Sequence, residues 1–254
     1  PYTTLFRSVR SLRHNLVVEK VVIEGPGIIS IIMKGRKLHK LAAEGGQFFE
    51  WRFLSRGHFL VAHPYSLSAA PTANHLRITV KNLGDHSTTL ASIKPGTRVL
   101  IEGPYGAFRA GWAKSKCVVL IGGGIGVTPV RALLDEFKNS VHIDFIYRVS
   151  REEDLALKSE LDQIAAKSGG FTRIHYLVGS RREHPMDAQH LLSLVPTVRE
   201  SDIYVCGPGP LVEAVHKAAE ALGVPKNRIH DEAFAASHLS MMGIMARRTN
   251  ATTA

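Results

Sequence analysis

Gly122, Gly123, Gly124 and Gly126 crowd into five positions, directly after the apolar run 117–121 and directly before Thr128 and Pro129. Val130, Leu133, Leu134 and Phe137 then recur at helical spacing. Pro129 suits a first helical turn, where its missing N–H would be unpaired in any case. The pattern is strand, glycine turn, helix start. Such a turn aims backbone N–H groups and the positive end of a helix dipole at an anion, and glycine lets a phosphate approach the chain closely. Gly123, Gly124, Gly126, Thr128 and Pro129 are therefore candidate ligands of a dinucleotide. The competing reading is a tight turn with no ligand, but four glycines exceed what a turn needs. The full G-x-G-x-x-G pattern is absent, because Pro129 stands where its third glycine would fall.

Three other stretches carry usable chemistry. In His63-Pro64-Tyr65-Ser66, Tyr65 can stack on a flat ring and Ser66 can hydrogen-bond a ring nitrogen. Gly84, Ser87 and Thr88 sit where a loop enters a short helical stretch, so backbone N–H groups and two hydroxyls offer an anion seat or simply an N-cap. Cys206-Gly207-Pro208 ends an apolar strand; Cys206 there reads either as a site residue or as a small buried hydrophobe.

The tip of the second expected strand decides between nucleotides. An NAD site commonly places an acid about 20 residues after the glycine turn. Here Tyr147-Arg148-Val149-Ser150-Arg151 offers two arginines and a hydroxyl instead. Arg148, Ser150 and Arg151 suit a 2′-phosphate through charge-assisted bonds, which favours NADPH over NADH. The competing reading takes Ser150-Arg151-Glu152-Glu153 as the capping box of the next helix.

Composition narrows the field. The 254 residues suffice for two small domains, and 44% hydrophobic with 21% charged residues is a globular balance. No apolar run approaches the roughly 18 residues of a membrane span, and no secretory signal is evident. The chain opens on Pro1, as a piece of a longer protein would. Two cysteines without C-x-x-C exclude an in-chain iron–sulfur cluster and a structural zinc site. The thirteen histidines are scattered, and no metal site is expected. A net charge of +10 suits a nucleotide or an anionic membrane face. Nucleic acid is not expected, because the basic residues form no stripe with interleaved aromatics.

These groups need elements to hold them. Residues 1–15, with Arg7, Arg10 and Arg13, read as a basic linker. Strand-like runs at 16–24, 28–33, 47–54, 60–68, 76–81 and 98–102, with Gly/Pro punctuation, predict a small antiparallel β-barrel over 16–112, carrying one short helix at 87–93. Over 113–235 strands alternate with helices. Strands are expected at 117–121, 142–147, 172–178, 203–206 and 228–231, and helices at 129–138, 152–166, 187–194 and 210–222. Repeated βα units argue a doubly wound parallel sheet with its ligand at the carboxyl ends of the strands. Residues 236–254 show no pattern and read as a disordered tail.

Taken in order, Gly46-Gln47-Phe48, His63-Pro64-Tyr65-Ser66, Gly84-x-x-Ser87-x-x-Leu90, Gly103-Pro104-Tyr105-Gly106, the glycine turn and Cys206-Gly207-Pro208 resemble the ferredoxin–NADP reductase superfamily. The H-P-Y-S form resembles the cytosolic dehydrogenase region of ferric reductases and NADPH oxidases. The resemblance spans about 16–234 and implies a flavin-dependent NAD(P)H dehydrogenase. It implies that Tyr65 covers the isoalloxazine, Ser66 contacts flavin N5 as a catalytic group, and His63 and Pro64 belong to the flavin motif. It further implies that Val80 and Lys81 lie beside the ribityl chain, with the FAD pyrophosphate at Gly84, Ser87 and Thr88. Cys206, the second catalytic candidate, would lie near the nicotinamide, with Gly207 and Pro208 admitting the ring. Phe234 of Glu232-Ala233-Phe234 would shield the flavin face. Hydride would pass from NADPH, or NADH, to FAD. Single electrons would then go to a haem-bearing transmembrane domain, with this chain on its cytosolic membrane face. Two alternatives stay open: a soluble reductase serving ferredoxin, a flavodoxin-like protein or an oxygenase, and a non-catalytic electron-transfer subunit.

Overall fold

The computed structural model describes residues 13–55, 61–81, 90–137 and 141–233. Its first half contains six strands: β1 (Val17–Gly25), β2 (Ile28–Lys34), β3 (Phe48–Phe53), β4 (His63–Ser66), β5 (His75–Lys81) and β6 (Val99–Tyr105). They form two antiparallel three-stranded sheets, ordered β1-β2-β5 and β4-β3-β6. Bridges Val17↔Arg98 and Leu67↔Ile78 join the sheets along both seams. The predicted barrel is thus present, closed over one core that includes Ile31, Met33, Phe49, Trp51, Phe53, Leu67 and Ile78. Each seam is joined by one isolated bridge, which covers part of the outer strands' edges. A buried hydroxyl chain crosses one seam, with Ser30 Oγ 2.8 Å from Thr79 Oγ1 and Thr79 donating to Ser68 Oγ at 2.8 Å. Three polar side chains thereby satisfy one another inside the barrel. His14, within the expected linker, is buried with its Nδ1 2.9 Å from the Arg36 carbonyl oxygen.

The second half is a five-stranded parallel sheet. It comprises β7 (Cys117–Gly123), β8 (His142–Val149), β9 (Thr172–Val178), β10 (Asp202–Gly207) and β11 (Ile229–Ala233), ordered β11-β10-β7-β8-β9. Helices α1 (Val127–Glu136) and α2 (Lys158–Lys167) cover one face, where Leu120, Phe145 and Tyr204 meet Val130, Leu133 and Leu161. Helices α3 (Ala188–Leu194) and α4 (Gly209–Ala221) cover the other, where Val119, Ile121 and Val205 meet Leu191, Leu211 and Val215. Strand residues alternate between the two cores, as period-2 geometry requires. The order runs outward from β7 in both directions, so the topological switch point lies between β7 and β10.

One expected helix is corrected. Residues 152–166 do not form a single helix: Glu152–Asp154 make a short 3-10 turn, Leu157 adopts φ 59°, and α2 starts at Lys158. No side chain caps that turn, so the capping-box reading of Ser150 and Glu153 fails. The reason is tertiary. Ala156 and Leu157 are drawn into a small apolar cluster with Ile28 of the barrel and Ile125 of the glycine turn. The Tyr147 hydroxyl accepts from Ala156 N at 3.1 Å and donates to the Asp154 carbonyl at 3.2 Å. The strand expected at 60–68 is limited to β4 among the described residues. Expectations for Arg7, Arg10, Gly84, Ser87, Thr88, Phe234 and the 236–254 tail fall outside them.

A carboxylate clamps the halves together. Glu160 accepts from Arg77 Nη1 at 2.8 Å and Nη2 at 3.0 Å, and from Arg131 Nε at 2.9 Å. Arg131, 6% exposed, also pairs with Asp135 at 2.7 Å, and Asp135 accepts from the Ala70 N–H at 3.0 Å. The two guanidinium groups hold the Glu160 carboxyl below its usual range against the opposing effect of burial, which is the larger single influence. Glu160→Ala leaves Arg131 short of a partner. Breaking a buried pair costs ~3–5 kcal/mol, which the partial exposure of Glu160 reduces to about 2 kcal/mol. The expected result is a melting midpoint several degrees lower in a calorimetric scan, and an unchanged midpoint would refute the clamp.

Candidate cofactor cleft

Two turns meet backbone to backbone at the switch point. A Cβ on Gly126 would fall 2.3 Å from the Cys206 carbonyl oxygen and 2.8 Å from Gly207 Cα. One on Gly207 would fall 3.1 Å from Gly123 Cα, and one on Gly123 2.4 Å from Leu211 Cδ2. These glycines serve the close approach of β7 and β10. Gly124 differs: its φ is 55°, and a Cβ there would meet nothing within 4 Å. It is the open position of the turn, left-handed and accessible, as a phosphate-binding turn requires. Thr128 is 2% exposed and its hydroxyl donates to the Ile125 carbonyl at 3.0 Å, so that hydroxyl serves the turn itself. Pro129 is buried in the first turn of α1.

In the barrel, β4 lies beside β3 and β5. Ser66 pairs with Phe48, and Phe48 pairs with Tyr105, giving one row across β4, β3 and β6. The Tyr65 carbonyl accepts from Trp51 Nε1 at 2.8 Å, which fixes the strand. The His63 and Tyr65 rings stack with centroids 6.1 Å and planes 24° apart, and Pro64 is half-buried. Burial raises the Tyr65 hydroxyl above its usual range, so it stays protonated. Phe48 and Tyr105 contact each other at 5.6 Å, and a Cβ on Gly106 would lie 3.3 Å from Phe48 and 3.4 Å from Glu232 Oε1. Glu232 is the register partner of Cys206. The structure therefore brings Ser66 and Cys206, 140 residues apart in the chain, to one continuous floor: Ser66, Phe48, Tyr105, Gly106, Glu232, Cys206.

Cys206 is 1% exposed, and burial, then the Glu232 carboxyl, pushes its thiol well up. It is a neutral thiol packed in the core with Val127, Leu133 and Tyr204, and no nucleophile. Glu232 is the residue the sequence singled out only as part of a terminal motif. Its Oε2 is buried with no hydrogen-bond partner, and burial, then Asp231, pushes the carboxyl up to about 7. The pairing of β11 with β10 sets it beside Cys206.

Val80 is 3% exposed and packs into the barrel core, so it supports β5 from within. Lys81 reaches across the domains to Asp154, Nζ to Oδ1 2.7 Å. At the tip of β8, Arg148 sits opposite Gly123, and its Nε is buried without a hydrogen-bond partner. Burial and the neighbouring Arg181 lower its pKa, the mark of a cation in a positive field that an anion would relieve. Ser150 is exposed, whereas Arg151 is tied to Glu153 at 2.7 Å and Asp154 at 3.2 Å. The open Gly124 and the unpartnered Arg148 Nε fit the phosphates of a dinucleotide at the switch point.

A doubly wound sheet with a glycine turn at its switch point, joined to a closed antiparallel barrel, is the architecture of a ferredoxin–NADP reductase-like protein. The chain matches the FAD-binding domain family over residues 13–109 and the oxidoreductase NAD-binding domain family over 120–217, and it belongs to the oxidoreductases that join these two domains. It is 31% identical over 180 residues to a flavohemoprotein of Vibrio cholerae, covering 67% of this chain and 45% of that one. It is 26% identical over 241 residues to the glycine betaine monooxygenase reductase subunit of Chromohalobacter salexigens, covering 89% and 65%. The flavohem-like FAD/NAD-binding domain of a Vibrio cholerae nitric oxide dioxygenase shares the fold, with TM-score 0.72, 23% identity, and coverage of 87% of this chain and 99% of that one. The chain thus spans roughly half to two thirds of the curated relatives it matches. Among the described residues no helix is long and apolar enough to cross a membrane, and no three metal-ligating side chains converge.

Proposed function

We propose that this chain is the reductase module of an electron-transfer system, taking electrons from NADPH, or NADH, and delivering them singly to an acceptor outside the described residues. The observation that carries this reading is the floor from Ser66 to Cys206, which lets a ring on the barrel and a ring on the nucleotide sheet share one wall. When bound, FAD supplies the chemistry, accepting a nucleotide's two electrons together and releasing them one at a time.

The chain's own residues bind, orient and exclude water. On the flavin side these are His63, Pro64, Tyr65, Ser66 and Lys81, with Val80 behind them and Gly84, Ser87 and Thr88 as the pyrophosphate seat. Gly123, Gly124 and Gly126 hold the dinucleotide backbone, with Thr128 and Pro129 shaping the turn. Arg148 and Ser150 meet the 2′-phosphate, while Cys206, Gly207 and Pro208 form the nicotinamide wall. Phe234 would cover the flavin face. No residue is needed as a general base.

The finer reading of the acceptor is a haem-bearing membrane domain of the ferric reductase kind, with this chain at the cytosolic membrane face. The H-P-Y-S motif and the net charge of +10 support it. An oxygenase is the second reading, supported by the reductase subunit of the glycine betaine monooxygenase among the relatives. The FAD-loaded chain should oxidise NADPH with ferricyanide at about two ferricyanide per nucleotide, the ratio of a two-electron donor feeding a one-electron acceptor. Nucleotide consumption without ferricyanide reduction would overturn the module.

A further inference from the structure

Arg151 and Lys81 share one carboxylate. Asp154 Oδ1 lies 2.7 Å from Lys81 Nζ, Oδ2 lies 3.2 Å from Arg151 Nε, and Arg151 Nη2 reaches Oδ1 at 3.5 Å. Arg151 Nη1 meets Glu153 at 2.7 Å. Asp154 is only 10% exposed while Arg151 is 63% exposed, so the acid is the fixed member of the pair. Its carbonyl is held by the Tyr147 hydroxyl, its N–H donates to the Arg151 carbonyl at 3.0 Å, and the next residues are wedged against Ile28 and Ile125. The Lys81 bond is the main reason the carboxyl is held below its usual range, so it stays charged at neutral pH. The guanidinium fork of Arg151 is thus turned onto its own chain by two carboxylates. An incoming phosphate dianion therefore competes with two carboxylates for this cation. Arg148, three residues earlier, has a buried donor with no hydrogen-bond partner.

We propose that Asp154 is a positioning residue that sets dinucleotide selectivity by holding Arg151 off the 2′-phosphate, leaving Arg148 to supply the discrimination this chain has. The proposal rests on the reading that the β8 tip faces the nucleotide's 2′-position. It gives an acid at the end of the second strand a role distinct from grasping a ribose, because this acid faces Lys81 and Arg151.

The test is calorimetric titration of the FAD-loaded chain with adenosine 2′,5′-bisphosphate and adenosine 5′-monophosphate, the ratio of the two affinities being the readout. FAD content is checked for each variant from absorbance. Asp154→Asn should raise the ratio about tenfold by releasing one charge-assisted contact, and adding Arg151→Ala should cancel that gain. In the unaltered background Arg151→Ala should change the ratio less than about twofold, and Arg148→Ala should collapse it. Should Asp154→Asn fail to fold, the surface variant Arg151→Ala still decides. A ratio lost in Arg151→Ala alone would overturn the role of Asp154 while leaving the NADPH reading intact. A native ratio near one that rises in Asp154→Asn would overturn NADPH preference and support the role of Asp154. No rise in a folded Asp154→Asn would overturn the proposal.

Discussion

Gly126→Ala should abolish most nucleotide-dependent flavin reduction while Gly209→Ala leaves it intact. The added methyl at Gly126 would sit 2.3 Å from a carbonyl oxygen and 2.7 Å from its carbon, both backbone atoms of Cys206. Neither neighbour is a flexible side-chain end, so β7 and β10 must separate. Overpacking of this kind costs ~1–3 kcal/mol and more where backbone must move, so about 3 kcal/mol is expected in a denaturant titration. The larger effect is geometric. The displaced strand ends carry the dinucleotide turn and the Cys206 wall, and a misplacement near 1 Å costs roughly a hundredfold in rate. At Gly209 a Cβ meets nothing within 4 Å, and φ there is not in the left-handed range. Gly124→Ala falls between: no clash, but a left-handed residue costing ~1–2 kcal/mol. Equal stability and rates in Gly126→Ala would contradict the packed-turn account.

Glu232→Gln should flatten the pH dependence of stability. In the folded chain the carboxyl titrates near 7, above its unfolded value of 4.5, because burial penalises the charge and Asp231 adds to it. Between those values the folded state binds the extra proton. The favourable contribution is therefore full below about pH 4.5 and is lost as pH rises through 7. Above pH 8 the native chain carries a buried carboxylate whose cost is on the order of 3 kcal/mol relative to acid conditions. Glutamine keeps the shape without the charge. Its melting midpoint should exceed the native one at pH 8.5, and the two should converge near pH 5. Nucleotide-driven reduction should follow the same titration, because a carboxylate on the shared floor opposes the arrival of negative charge. Parallel pH profiles in the two proteins would contradict a buried, partnerless Glu232.

Local pattern carried the architecture in the sequence. β-branched runs with Gly-Pro-Gly punctuation marked β1 and β2, and the apolar run ahead of four glycines marked β7 and its turn. What the sequence could not display is contact between distant segments. Gly126 reads as a phosphate glycine, yet its absent side chain is what allows Cys206 to approach. Arg151 reads as a free cation until Asp154 is seen to be held in place by Tyr147 and Lys81. Residues 152–157 carry a helix-start signal, and packing on Ile28 and Ile125 overrides it. The burial of Glu232 follows from the pairing of β11 with β10, which no local pattern displays.

The most direct test of the shared floor is anaerobic mixing of the FAD-loaded chain with NADPH and, separately, NADH, following bleaching of the flavin absorbance. The account predicts rapid bleaching by at least one nucleotide in the isolated chain, with NADPH the faster and its advantage lost in Arg148→Ala. Bound flavin that neither nucleotide bleaches would contradict the reductase reading and leave the chain as a relay that receives its electrons from elsewhere.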